Sequence, residues 1–120
     1  MQEDRPHRKE RIAELVHREV ARLITAEADF AVELMVTVSG VEVSENHQHA
    51  TIFVTVFPFE HAREVKRELD RVIREIQYRL NRALKMRPVP QIRFQIDESE
   101  EKGHHVLELI EKADDKSEDS

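Results

Sequence analysis

Residues 36–56, VTVSGVEVSENHQHATIFVTV, are the stretch that decides the fold. The runs 34–44 and 48–57 are rich in Val, Thr and Phe. Parts of them alternate: Val36 and Val38 against Thr37, then Ile52, Val54 and Val56 against Thr51, Phe53 and Thr55. Alternation with a period of two places one apolar set on one face of a pleated strand. The interruption, Glu45-Asn46-His47, is short and polar, so the two runs read as a β-hairpin with one face turned to a core. Gly40 falls inside the first run, where a bulge or bend is the usual explanation.

The flanks supply what would cover that face. Upstream, Ile12, Leu15, Val16, Val20, Leu23 and Ile24 recur at helical spacing, which predicts an amphipathic helix over roughly 6–26. Pro6 stands at its start, a position where its missing N–H costs nothing. Downstream, Val65, Leu69, Val72, Ile73, Ile76, Leu80, Ala83 and Leu84 keep the phase of about 100° per residue, predicting one long helix from about 60 to 86. Pro88 and Pro90 stop it. Ile92, Phe94 and Ile96 then alternate with Arg93 and Gln95 as a third strand. Beyond Gly103, Val106, Leu109, Ile110 and Ala113 suggest a short closing helix, and 113–120 (ADDKSEDS) reads as a disordered acidic tail. The order is α-β-β-α-β with a C-terminal helical turn: an α+β domain with both long helices on one face of a three-stranded sheet.

With 120 residues the chain suits one domain, 1–112, with residues 1–5 flexible. Charged residues are 37% of it, yet Leu, Ile, Val and Phe still supply 34 positions, enough for a core in a very soluble fold. The absence of Cys excludes disulfides, thiol catalysis and Cys-ligated zinc. No apolar run approaches the ~18 residues of a membrane span, and residues 1–10 are polar, unlike a signal-peptide core. A cytoplasmic protein with no membrane partner is expected. The net charge of −6 argues against nucleic acid, but its distribution does not. Residues 97–120 carry ten acids and three lysines, net −7, while 27–60 hold six acids and no Lys or Arg. Between them, 71–93 carries Arg71, Arg74, Arg79, Arg82, Lys85, Arg87 and Arg93 against Glu75 alone, net +6.

Signals of catalysis are poor. Two glycines 63 residues apart exclude a P-loop or a dinucleotide fingerprint, which need clustered glycines to bring amides to phosphate. No Ser or Thr sits in a nucleophile turn, and no pair of acids shares an apolar face. The chain is therefore not expected to be an enzyme, and no cofactor is implied. His47 with His49, and the adjacent His104 and His105, lack the further ligands a metal site needs, so no metal is expected.

The long helix is the informative element. With Val65 at 0° on a helical wheel, the apolar stripe centres near about 35°, while Arg63, Arg67, Arg71, Arg74, Arg82 and Lys85 lie between about 160° and 260° with Tyr78 and Asn81. Glu64, Glu68 and Glu75 occupy one flank of that basic face. A solvated face laced with pairs such as Glu75 with Arg71 and Arg79 accounts for the first half. Past Glu75 the acids run out, and unpaired Arg beside an aromatic suits phosphate contact plus stacking on a base or ribose. A second basic cluster, Arg5, Arg8, Lys9 and Arg11, opens the chain, with Arg18 and Arg22 continuing Arg11 at i+7 and i+11. Whether the two clusters share a surface depends on how the helices pack.

Four segments in order resemble the bacterial ribosome-binding factor A family. They are the first helix from Arg5-Pro6-His7-Arg8 to Leu23-Ile24; the hairpin 36–56, with Ala50 opening the second strand; the exit 86–99, MRPVPQIRFQIDES; and Gly103 with Val106 and Leu109-Ile110. The resemblance covers about 5–112. It implies a type II KH-like fold, α-β-β-α-α-β, without the G-x-x-G loop of ordinary KH domains. It also implies a monomeric, non-catalytic assembly factor that binds the small ribosomal subunit and its ribosomal RNA during late maturation and processing. RNA grip would then fall to side chains: Arg5, Arg8, Lys9, Arg11, Arg67, Arg71, Arg74, Tyr78, Arg82, Lys85 and Arg87. The chain departs from the family twice. Val72-Ile73-Arg74 replaces the Ala-x-Gly at which relatives commonly kink the second helix, so a straighter helix is expected here. Ala28-Asp29-Phe30-Ala31 replaces an Asp-Pro-Arg before the first strand. The alternative reading is an acidic interaction module, in which Glu33, Glu42, Glu45, Glu60 and the tail meet basic ribosomal proteins or another basic partner.

Overall fold

The two alternating runs form β1 (Met35–Val43) and β2 (His49–Phe57), an antiparallel pair, in the computed structural model, which describes residues 4–99 with side chains from His7 onward. The short helix and acidic tail expected after Gly103 lie outside the described residues. Val36 faces Val56 and Val38 faces Val54; the register then slips, so that Val41 faces Ile52 and Val43 faces Ala50. Ser39 is the extra residue of a β-bulge next to Gly40. The bulge has a plain cause: Val36 and Val38 occupy even positions, Val41 and Val43 odd ones, and only a one-residue insertion turns both sets to the same face. Polar side chains close the turn. Ser44 Oγ accepts the His49 N–H at 3.0 Å, Asn46 Oδ1 accepts the Gln48 N–H at 3.0 Å, and His47 takes a left-handed backbone with φ 62°.

β3 (Gln91–Ile96) runs parallel to β2, giving the strand order β1-β2-β3. A parallel neighbour demands a long crossover, supplied by a 3₁₀ turn (Phe59–His61) and α2 (Ala62–Ala83). α2 is shorter than expected at both ends. Leu84 is already extended, donates its N–H to the Leu80 carbonyl at 3.0 Å and sends its side chain into the core. Arg87, preceding Pro88, is disfavoured in a helix. α2 runs unbroken through Val72-Ile73-Arg74 for about 33 Å. The two successive helices implied by the resemblance are thus one element here, within the same KH-like α+β arrangement. α1 (Asp4–Glu27) begins two residues earlier than the spacing predicts, with Pro6 in its first turn.

Both helices lie on one face of the sheet, α1 over β1 and α2 over β3, and they also touch each other. Val16, Val20, Val65, Leu69, Ile76 and Leu80 are fully shielded beneath them, each burial stabilising the fold by roughly 1.5–3 kcal/mol. Ile73 and Ala83, at the margins of the predicted stripe, are half-buried and exposed. Gln77 fixes the second half of α2 to the sheet. Its amide nitrogen donates to the Pro90 carbonyl at 3.0 Å, and its oxygen accepts the Ile92 N–H at 2.8 Å. The opposite sheet face is open, with Met35 and Phe57 as facing neighbours on β1 and β2. Among the described residues no helix is long and apolar enough to cross a membrane.

Candidate nucleic-acid interface

Because Val65, Leu69, Val72, Ile76 and Leu80 commit one side of α2 to the core, the helix period alone turns Arg63, Arg67, Arg71, Arg74, Tyr78 and Arg82 outward, and all are exposed. Every acid on α2 is tied to a base. Glu64 meets His61 at 3.1 Å, Asp70 meets Lys66 at 2.7 Å, and Glu75 meets Arg79 at 2.8 Å. Glu68 takes Arg71 through two bonds of 2.8 Å. That Arg71 pair, aided by the Asp29 backbone N–H, holds the Glu68 carboxyl below its usual range; Glu68 in turn raises the Arg71 guanidinium. Glu75 therefore pairs with Arg79, as the spacing suggests, but not with Arg71, which the nearer Glu68 captures. Arg63, Arg67, Arg74, Arg82 and Lys85 are left with no ion pair among the described residues. The Arg82 guanidinium instead sits over the Tyr78 ring, 5.7 Å from its centroid, with Nη1 3.4 Å from the phenolic oxygen.

The packing of α1 on α2 decides whether the two basic clusters meet. Glu27, the last residue of α1, binds Arg79 at 2.9 Å, and the Asp29 N–H donates to Glu68 at 2.7 Å. These contacts set the end of α1 against the middle of α2. A groove follows between them, lined on one side by Arg22, Leu23 and Ala26 and on the other by Tyr78, Arg82 and Ala83. Arg11, Arg18 and Arg22 share one stripe of α1, within about 40° of each other, so the α1 stripe runs into the α2 face at Arg22. Arg22 is itself paired to Glu19; Arg11 and Arg18 are exposed, with no ion pair among the described residues.

The sequence candidates thus divide. Arg74, Tyr78 and Arg82 share the outer end of α2, with Arg67 two turns before Arg74; Lys85, expected on the same helical face, stands beyond the helix because Leu84 before it is extended. Arg71 shares the face but is held by Glu68. Arg87 folds back on its own chain, donating to the carbonyls of Met86 at 2.6 Å and Leu84 at 3.2 Å, where it supports the end of α2. Arg8 and Lys9 line a separate cleft between the start of α1 and the hairpin, and Lys9 binds Glu45 at 3.0 Å, lowering that carboxyl's pKa. Arg8 lies roughly 21 Å along α1 from Arg22. Arg5 lies in the first turn of α1, before the described side chains. Arg18 and Arg22 belong to the joined surface although they stand outside the predicted set; their i+7 and i+11 relation to Arg11 was the signal, and only packing shows which stripe meets α2. Of the acids in the alternative reading, Glu45 is in an ion pair with Lys9, and Glu60, in the 3₁₀ turn, lies 3.7 Å from the His61 ring. Among the described residues no three His, Asp or Glu side chains gather as a metal site.

The family model described as ribosome-binding factor A matches residues 8–110. Ribosome-binding factor A of Pseudomonas fluorescens (strain SBW25) is 38% identical over 109 residues, covering 88% of this chain and 83% of that protein. The protein of the same name from Thioalkalivibrio sulfidiphilus is 36% identical over 107 residues, covering 88% and 83%. Among solved structures, the crystal structure of ribosome-binding factor A from Thermus thermophilus superimposes with a TM-score of 0.63 at 26% identity, covering 73% of this chain and 93% of that one. Coordinates of the Thermus thermophilus factor fitted into a cryo-EM map of its 30S complex give a TM-score of 0.57 at 27% identity, covering 70% and 89%.

Proposed function

The chain belongs to the ribosome-binding factor A family, and from that premise we propose that it docks the joined basic faces of α1 and α2 on ribosomal RNA of the small subunit. The observation that carries this reading is the set of cations without an ion pair among the described residues, Arg63, Arg67, Arg74 and Arg82 along one helix whose acids are all engaged, with Lys85 just past its end. Unpaired guanidinium groups in a row present forked donors to phosphate oxygens without first breaking an internal bond. The Thermus thermophilus relative seen in a 30S complex points to the same subunit. Arg74, Arg82 and Lys85 neutralise phosphates at the centre of the footprint, Arg67, Arg18 and Arg11 extend it, and Arg8 and Lys9 reach its far margin.

The protein acts by binding, as a monomer in the cytoplasm, during late maturation and processing of the subunit RNA. Its work is to favour one RNA conformation over another by differential affinity, with no covalent step. The acidic-module reading has less support, since Glu45 at the hairpin turn is spent on Lys9. Sedimentation with cell extract tests the proposal: the protein should travel with free small subunits, and the Arg74/Arg82/Lys85→Ala triple variant should not. Affinity should fall linearly in log-log form with salt, by a slope of roughly 0.7–0.9 per phosphate contact. A flat salt dependence, or full subunit binding by the triple variant, refutes it.

A further inference from the structure

The groove where α1 meets α2 has a chemistry different from the ridge beside it. Its volume is ≈ 270 Å³, and its lining joins Leu23, Ala26, Ala83 and Tyr78 to the charged Arg22, Glu27, Arg79 and Arg82. Tyr78 is 56% exposed although it is a large apolar ring on a folded helix. The Arg82 guanidinium over the ring holds it in place and leaves most of its surface to solvent. Within the groove Arg22 is met by Glu19 and Arg79 by both Glu27 and Glu75, so Arg82 is the one lining cation without an ion pair among the described residues. Arg74 and Lys85, also without an ion pair among the described residues, lie outside it. A groove that joins an exposed aromatic ring to small apolar residues, with further cations beside it, matches a nucleotide divided into its parts, a base that stacks and an anionic phosphate.

We propose that the groove between the C-terminal halves of α1 and α2 receives one unstacked RNA base, lying on Tyr78 and Arg82, while the adjoining phosphates meet Arg74 and Lys85. The inference rests on the RNA-binding reading above and adds the class of RNA. Within an A-form duplex the base faces are covered by their neighbours, so an exposed aromatic ring can be used only by an unpaired or extruded nucleotide. The site therefore selects single-stranded RNA, or a junction with a free base, over continuous duplex. Small residues in the lining serve this directly, because Ala26 and Ala83 leave the space that larger side chains would fill.

The molecule carries its own reporter. Tyr78 is the sole tyrosine and there is no tryptophan, so tyrosine emission from the full chain comes from this one ring. The full-length protein is titrated with an oligouridylate of about ten nucleotides, within the usual range of single-strand site sizes, and with an RNA duplex of equal length; binding is followed separately by anisotropy of labelled RNA. Saturable quenching of Tyr78 by the single strand, with little by the duplex, is expected. Tyr78→Ala should weaken single-strand binding by about 5- to 100-fold, the usual worth of one base stack, and Tyr78→Phe should stay within about twofold of wild type. Single-strand binding without quenching, or unchanged affinity in Tyr78→Ala, overturns the base site while leaving charge-based RNA binding intact. Equal quenching by duplex overturns the preference for single strands. If neither RNA binds and subunit binding also survives the Arg74/Arg82/Lys85→Ala variant, the RNA reading itself fails, and the base site with it.

Discussion

The two halves of α2 are alike inside and opposite outside. From 62 to 75 the helix buries Val65, Leu69 and Val72 and carries four acids, each answered by a nearby base. From 76 onward it buries Ile76 and Leu80 and carries no acid, so Glu75, and Glu27 from α1, both converge on Arg79. The first half ties each of its acids to a base and leaves Arg63, Arg67 and Arg74 without an ion pair among the described residues; the second has no acid of its own and leaves Arg82. One apolar stripe can therefore support two polar faces of different purpose, and the stripe says nothing about which is which.

The largest effect belongs to the shared stripe. Leu69→Ala and Leu80→Ala should each cost about 2–5 kcal/mol in denaturant unfolding, and a clear inequality between them would mean that the halves are not equally packed. Next is the bridge that exists only in the second half. Gln77→Ala leaves the Ile92 N–H and the Pro90 carbonyl without partners and should cost about 1–3 kcal/mol. Outside, the ranking reverses in favour of binding. Arg74/Arg82/Lys85→Ala should lower small-subunit affinity more than about tenfold, by the loss of several charge-assisted bonds. Arg63/Arg67/Arg71→Ala, among acids that already temper the field, should cost less than about threefold. Equal losses would erase the functional distinction between these two sets of cations.

The smallest effect is a pH dependence. Glu68 is held below its usual pKa chiefly by Arg71, and Asp97 chiefly by the Ser99 backbone N–H with help from the Ser39 hydroxyl. A carboxyl depressed in the folded state contributes stability that is present above its unfolded pKa, near about 4, and lost as pH falls through the folded value. Unfolding midpoints should thus decline below about pH 4, and less steeply in Glu68→Gln and Asp97→Asn. In the same window protonation of Glu68 frees Arg71, bringing the outer chemistry of the first half closer to that of the second. A midpoint that declines as steeply in both variants as in wild type removes these two groups as its cause.

Much of this was legible in the linear chain because it depends on period. The hairpin, both helices, the third strand and the unbroken passage through Val72-Ile73-Arg74 follow from spacings of two and about 3.6 residues. Even the bulge is written in the shift from Val36 and Val38 to Val41 and Val43. The basic face of α2 was legible for the same reason, since fixing the buried side fixes the opposite one. Partners were not. Arg71 and Arg87 look alike in sequence to Arg74 and Arg82, yet one is held by Glu68 and the other by carbonyls at the end of α2. Their distances depend on rotamers and on where the helix stops, and neither is periodic.

The order of residues alone thus settles which side of each described helix and strand is buried and where positive charge accumulates along the chain. Those properties are local, set by the order of apolar and charged residues within a few turns. Only the tertiary structure decided that the end of α1 lies against the middle of α2, through Glu27 on Arg79 and Asp29 on Glu68. Those contacts join residues far apart in the chain, so no local pattern encodes them. They bring Arg22 opposite Tyr78 and Arg82, and turn two separate basic stripes into one surface with a groove.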